Sequence, residues 1–421
     1  MKTIVYLLFI SLIINLFSAC PQWHAEYEEE LFEENEKKRM LLLHLQEQEA
    51  LNRKTAVDSA IYNYIKRYNI KSAVSVCVYG KDFKDYWYSG LHSVQKLNET
   101  ECTRNSFRYI YSISKTFVAS KILLLEKAGS ISLNDTISDF FPNLCTDYNI
   151  ANYINMDATI EELLTHKSGI CDFTSNSKLY SENPFISNSE YDPLVLLKYI
   201  EHVKQGRGNF IYSSANYILL GKIIESVTGK SLQTVYNEDF LTPLNLSKTY
   251  ITPPDDFDYQ KICHPHVYPG TQLNLTGDTS TPIDLCTVFS ETDFIKITGL
   301  SSWAAGGMLS NAGDIAKWGY NLFSENGIDD LKDIREEMLD SVKNYEYGAE
   351  NSFGYGCRKI FIDENHWLIG HYGRSFGSEN LMFYTPDLDL CITILFSENQ
   401  SINGKPDVDD LLKELIKLFK M

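Results

Sequence analysis

The sequence predicts an α/β (α+β) protein. One antiparallel sheet is built from both chain ends and flanked by terminal helices, with a mainly α-helical region inserted between. Three observations carry this expectation. Strand-like alternation occurs at residues 73–89, vanishes, and returns in four runs between 357 and 396. The intervening stretch holds helix-length apolar runs that stop at glycines. Both ends of the body carry amphipathic helical spacing, with Ile61, Tyr64, Ile65 and Tyr68 at one end and Leu411, Leu412, Leu415 and Leu418 at the other.

Taken in order, Lys2 precedes an apolar run from residue 4 to 17 that closes on Ser18, Ala19 and Cys20. This is the layout of a signal peptide, since about 20 apolar residues are needed to span a bilayer. The tail Leu16-Phe17-Ser18-Ala19-Cys20 also resembles a lipobox, so the chain is expected to be exported to the cell envelope, lipid-anchored through Cys20, or secreted. Residues 21–58 form a charged helical stalk in which glutamates precede lysines and arginines. The body, 59–421, then divides into an α/β part (about 59–115 and 300–421) and a helical insertion (about 116–299).

Within the body, a strand at 73–79 turns at Gly80-Lys81-Asp82 into a partner at 85–89. Helices are expected at 117–128, ending at Gly129, at 160–164, at 193–203, and at 217–227, ending at Gly229. Strands follow at 357–362, 367–372, 380–385 and 388–396, and Asp407 caps the last helix.

The 421 residues carry 56 acidic and 38 basic side chains, for a formal charge of −18. Binding to nucleic acid requires clustered cations, so that class of partner is excluded. Nine scattered cysteines do not spell a disulfide scaffold, and pairing among the loop cysteines cannot be read from sequence. Cys77 and Cys391 fall inside apolar strands and read as core thiols. Cys263-His264-Pro265-His266 gathers three ligand types, but adjacent positions converge poorly on one ion, so it is read as a loop and no metal is expected.

Serine chemistry is suggested by Ser112-Ile113-Ser114-Lys115. Residues three apart share a helix face, so the lysine nitrogen can reach the serine oxygen. The same spelling at Ser93/Lys96 and Ser175/Lys178 shows how little it means alone. Ser112, however, opens the longest apolar helix, where helix N–H groups favour developing negative charge. A second element, Tyr212-Ser213-Ser214, sits at a loop-to-helix junction, and a third, Gly370-His371-Tyr372-Gly373, closes a strand.

With these in place the chain resembles the serine-active-site family of class C β-lactamases, D-alanyl-D-alanine carboxypeptidases, D-aminopeptidases and esterases of β-lactamase fold. The family's three motifs appear in order as Ser112/Lys115, Tyr212/Ser214 and His371/Gly373. Residues 163–170 (LLTHKSGI), 305–310 (AGGMLS) and 353–356 (FGYG) resemble further family landmarks. The resemblance implies a β-lactamase/transpeptidase-like fold and a serine hydrolase acting through a Ser112 acyl-enzyme on a peptide, amide or ester, with Lys115 and Tyr212 sharing the proton work. Tyr212 is taken as base and acid with Lys115 as its electrostatic partner. The oxyanion would be held by the backbone N–H groups of Ser112 and Arg374.

Three departures bear on substrate. His371 stands where β-lactamases carry lysine, which favours a carboxypeptidase or esterase over a true β-lactamase. Ser214 replaces an asparagine, which weakens amide binding and raises the alternative of a binding protein that has lost catalysis. Arg374 offers a cation to a substrate carboxylate. Small peptide, β-lactam or ester substrates are the expected partners. Neither metal nor organic cofactor is expected, and membrane contact would come only through the signal or lipid anchor.

Overall fold

The computed structural model describes residues 21–70, 72–81, 83–90, 101–182, 192–251, 257–267, 282–288, 291–349, 352–375, 377–398 and 408–420. The signal and lipobox expectations, and the Asp407 cap, lie outside them. The chain divides into two compact units after Ser59. The described residues of the first unit, 21–59, belong to helix α1 (Pro21–Tyr68), whose surface carries i,i+4 pairs such as Lys38 with Glu34 at 2.7 Å. Such exposed pairs add only a few tenths of a kcal/mol each. No helix among the described residues is long and apolar enough to cross a membrane.

The second unit is organised by a six-stranded antiparallel sheet. Its strands are β1 (Val74–Gly80), β2 (Lys84–Ser89), β3 (Arg358–Asp363), β4 (His366–Ser375), β5 (Ser378–Thr385) and β6 (Leu390–Phe396), ordered β2-β1-β6-β5-β4-β3. The first strand therefore pairs with the last, Val74 opposite Phe396 and Gly80 opposite Leu390. The sheet is thus built from both chain ends, as the alternation predicts. β5 and β6 are buried at every position, in keeping with the near-continuous apolar run of β6.

Both faces of the sheet are covered. Tyr64 of α1 stacks on Phe396, ring centroids 6.2 Å apart, and helix α6 (Val408–Lys420) packs on β5 and β6 with Leu411, Leu412 and Leu415 buried. On the other face lies α5 (Ala312–Phe323), against β1, β6 and β5. Gly319 permits the close approach, because a Cβ there would stand 2.6 Å from Cys391 Sγ. The core continues into the helical region around α2 (Lys115–Lys127) and α3 (Ser214–Thr228), which ends at Gly229 in the left-handed conformation. Phe117 of α2 stacks on Trp318 at 4.0 Å, and the Trp318 indole N–H donates to Thr116 Oγ1 at 2.8 Å. An aromatic pair of this kind contributes about 1 kcal/mol beyond its burial.

Two expectations are corrected. Residues 193–203 form a 3₁₀ segment, Pro193–Tyr199, in place of an α-helix. Helices α4 (Glu291–Gly306) and Lys332–Val342 were not foreseen. The latter buries only Ile334, Arg335, Met338 and Val342 in an acidic stretch, too sparse a stripe to announce itself.

Candidate active site

The Ser112 element begins with Arg108–Tyr109, a short strand paired with Leu309–Ser310. The chain then passes Tyr111 at φ 45°, a left-handed conformation uncommon for a bulky residue, and enters the 3₁₀ turn Tyr111–Ser114 that runs into α2. The turn is held from outside: Ile110 N–H donates to Met308 O at 2.9 Å, and Asn380 Nδ2 donates to Tyr109 O at 3.0 Å. At the junction, Lys115 Nζ lies 3.1 Å from Ser112 Oγ and donates to Ala305 O at 2.7 Å. Lys115 is fully buried. Burial opposes its charge and pushes its pKa down to about 7, with only Asp172 acting through space to favour the proton.

The second element is templated by residues 163–172. Ile211 N–H donates to His166 O at 2.8 Å, Ser213 N–H to His166 Nδ1 at 3.1 Å, and Ser214 N–H to Asp172 Oδ1 at 3.0 Å. His166 is therefore a neutral acceptor at Nδ1, and burial holds its pKa well below the usual histidine range. Its ring supports Tyr212 at 4.3 Å. Lys115 Nζ sits 5.1 Å from the Tyr212 ring centroid. Burial raises the phenol pKa well above its ordinary value, although Ser112 nearby pulls it the other way.

The third element is β4, which runs against the nucleophile turn at Gly373. His371 is buried, its Nδ1–H donates to Tyr372 O at 2.5 Å, and its Nε2 is buried without a partner. Burial first, then Lys115, lowers its pKa to about 3, so it presents a neutral acceptor. Arg374 points differently from the sequence expectation: its Nε lies 2.9 Å from Oε1 of the fully buried Glu379, and its guanidinium stacks 4.6 Å from the Tyr372 centroid. A second cation, Arg358, covers Phe353 at 4.8 Å and Tyr372 at 5.4 Å.

Lys115 thus joins the site, 3.1 Å from Ser112 Oγ and 5.1 Å from the Tyr212 ring centroid, with the Tyr212 and His371 rings 6.3 Å apart. Ser214 opens α3, anchored by its backbone to Asp172. The roles of Asp172, His166 and the Ala305 carbonyl went unread. Away from the site, His264 Nδ1 pairs with Asp284 at 2.8 Å and His266 Nδ1 with Ser397 O at 2.9 Å. His264, Asp284 and Cys286 together bring ligand atoms within 4.8 Å of one another, a grouping that the adjacent-residue argument did not consider. Within it Asp284 also accepts the Cys286 backbone N–H at 2.8 Å.

An antiparallel sheet from both chain ends, a helical region, and a buried lysine on a helix-opening serine define a protein of the penicillin-binding and β-lactamase fold. The chain belongs to the Beta-lactamase family, whose model matches residues 57–416. It is 25% identical over 345 residues to protein flp of Staphylococcus aureus, covering 82% of this chain and 63% of that protein. It is 26% identical over 246 residues to a putative D-alanyl-D-alanine carboxypeptidase of Escherichia coli K12, covering 56% of this chain and 54% of that one. The chain therefore spans less than two thirds of the length of these curated relatives. Among solved structures it is similar to a D-amino acid amidase of Ochrobactrum anthropi SV3 (TM-score 0.68, 21% identity, 88% of this chain and 99% of that one). It is also similar to an octameric penicillin-binding protein homologue of Pyrococcus abyssi (TM-score 0.65, 20% identity, 86% and 76%).

Proposed function

We propose that the chain is a serine hydrolase that forms an acyl-enzyme at Ser112 on a small peptide, amide or ester, most like the carboxypeptidases and esterases of its family. The observation that carries this is the Lys115–Ser112 contact of 3.1 Å, made by a lysine whose pKa burial lowers to about 7. A lysine near neutrality can take the serine proton without first losing one to solvent. Burial moves the Tyr212 phenol the other way, which favours Lys115 as the base over the Tyr212 assignment drawn from the sequence. Lys115 accepts the Ser112 proton as Oγ attacks the acyl carbon, and the Tyr212 phenol hydrogen-bonds the nucleophile and then protonates the leaving group. Lys115 replenishes that proton, and water attacking the acyl-enzyme regenerates Ser112 with Lys115 again as base.

A β-lactam would bring a carboxylate to a site whose third-motif residue is the neutral His371, and the cation that follows that motif, Arg374, is already paired with Glu379. His371 Nε2 instead suits a substrate N–H, as in an amide or an amine. The names of the amidase and carboxypeptidase relatives agree in kind with that preference. Export through residues 1–20, with or without a lipid at Cys20, is part of the same proposal and rests on sequence alone.

The test is a fluorophosphonate probe with mass mapping of the modified serine. Adduct on Ser112, lost in Ser112→Ala, supports the reading. A folded protein without adduct defeats it and leaves a binding protein of the same fold. Rapid turnover of fluorescent penicillin would identify a β-lactamase instead.

A further inference from the structure

Behind the nucleophile strand, in the core between that strand and the sheet, two cysteines meet. Cys102 Sγ and Cys263 Sγ are 3.9 Å apart, 161 positions apart in sequence, both about 3% exposed, and packed with Ala73 in a small apolar cluster. One side of the pair is polar. The buried Arg108 guanidinium donates to Cys102 Sγ at 3.6 Å, to Ser75 Oγ at 2.9 Å and, through Nε, to Ser397 Oγ at 2.8 Å. Ser75 Oγ itself lies 3.3 Å from Cys102 Sγ. The backbones are fixed as well: Cys102 N–H donates to Gly90 O at 2.9 Å, and Cys263 N–H to Phe107 O at 2.9 Å, next to the bridge of Phe107 with Ile262.

We infer that Cys102 and Cys263 form a disulfide, a covalent staple that pins residues 261–263 and the 101–103 turn beneath the strand leading to Ser112. The sulfurs need to close by roughly 2 Å, within reach of side-chain rotation from this separation. The hydrogen bond from Cys263, with Arg108 beside it, holds the Cys102 thiol well down toward its thiolate, while burial pushes the Cys263 thiol up. The pair therefore has a nucleophilic and a resolving member. The Cys102 thiolate attacks a disulfide oxidant, small-molecule or protein, forming a mixed disulfide and releasing one thiolate of the oxidant. Cys263 then loses its proton and attacks Cys102 Sγ, closing the internal bond and releasing the second thiol. Two protein thiols are oxidised and one external disulfide is reduced. When Cys102 gives up its charge, Arg108 keeps Ser75 and Ser397 as acceptors, so the core tolerates either state. This inference does not depend on the hydrolase reading.

The test is to incubate reduced, folded full-length protein with oxidised glutathione, alkylate it under denaturing conditions, and map the digest by mass spectrometry. The expected result is a Cys102–Cys263 linked peptide and a melting temperature raised by roughly 5 °C or more, given the long loop closed, with reversal by dithiothreitol. Cys263→Ser and, separately, Cys102→Ser should abolish both the link and the shift. Full alkylation of both residues, a link to another cysteine, or glutathione left on Cys102 without closure would each overturn the inference. The wild-type map decides the matter even if a variant fails to fold.

Discussion

A Cβ added to Gly373 would stand 2.0 Å from the carbonyl oxygen of Ile110, so the strand of the third motif and the backbone two residues before the nucleophile are in van der Waals contact with no side chain between them. Both groups are backbone, so neither can yield without moving the active site.

Gly373→Ala should therefore drive β4 away from the Ser112 turn. A displacement near 1 Å at a reacting centre costs about 100-fold in rate, and overpacking costs about 1–3 kcal/mol in stability. Steady-state kcat/KM with thermal unfolding checks this. Near wild-type activity would mean that the two strands are not coupled to catalysis.

Activity should rise with pH through a single proton loss near 7, because Lys115 is a base only when neutral. The neighbouring histidines do not interfere, since His371 titrates near 3 and His166 well below its usual range. The kcat/KM profile between pH 5 and 9 measures this, and a flat profile would remove Lys115 as base.

The same lysine predicts a stability trade. Its folded pKa of about 7 lies below the unfolded value near 10.4, so between those values the unfolded chain binds more protons and stability rises with pH. Lys115→Met lacks this dependence. Its stability relative to wild type should be most favourable at pH 6 and should decline as pH approaches 10, with hydrolysis lost throughout. Urea unfolding at pH 6, 8 and 10 tests the sign.

Asp172→Asn keeps an oxygen for the Ser214 and Phe173 amides but removes the charge that holds the proton on Lys115. The ascending limb should move to lower pH while the fold persists. A limb that stays in place would show that Asp172 only positions α3.

His371→Phe removes the buried Nε2 acceptor. One hydrogen bond is worth about 1 kcal/mol, so KM should rise several-fold for amide substrates with an N–H and change little for the matching esters. Equal effects on both would assign His371 to packing.

What the sequence made legible is what is local. Ser112 and Lys115 are three residues apart, and β1 and β6 announce themselves by β-branched, apolar strings. The unread parts are long-range or have no side-chain spelling. Ala305 contributes only a carbonyl, His166 accepts from Ser213, and Asp172 caps an amide from another segment. Arg374 was read as an available cation because its partner is a glutamate on the next strand, which no spacing rule connects to it before the hairpin is known. α4 escaped because Trp303, at φ 31°, breaks its helical geometry just before Ala305.

The pairing of the first strand with the last, Val74 against Phe396, sets the order in which the chain acquires competence. The Ser112 turn is synthesised well before its flanking strand, and the Asn380 side chain that holds Tyr109 emerges 271 residues after it. A nascent or truncated chain would carry the nucleophile without its opposite wall, with β1 exposing an unpaired edge. The site is thus completed only with the C-terminal hairpins, and their loss should dismantle the Ser112 site and promote aggregation together.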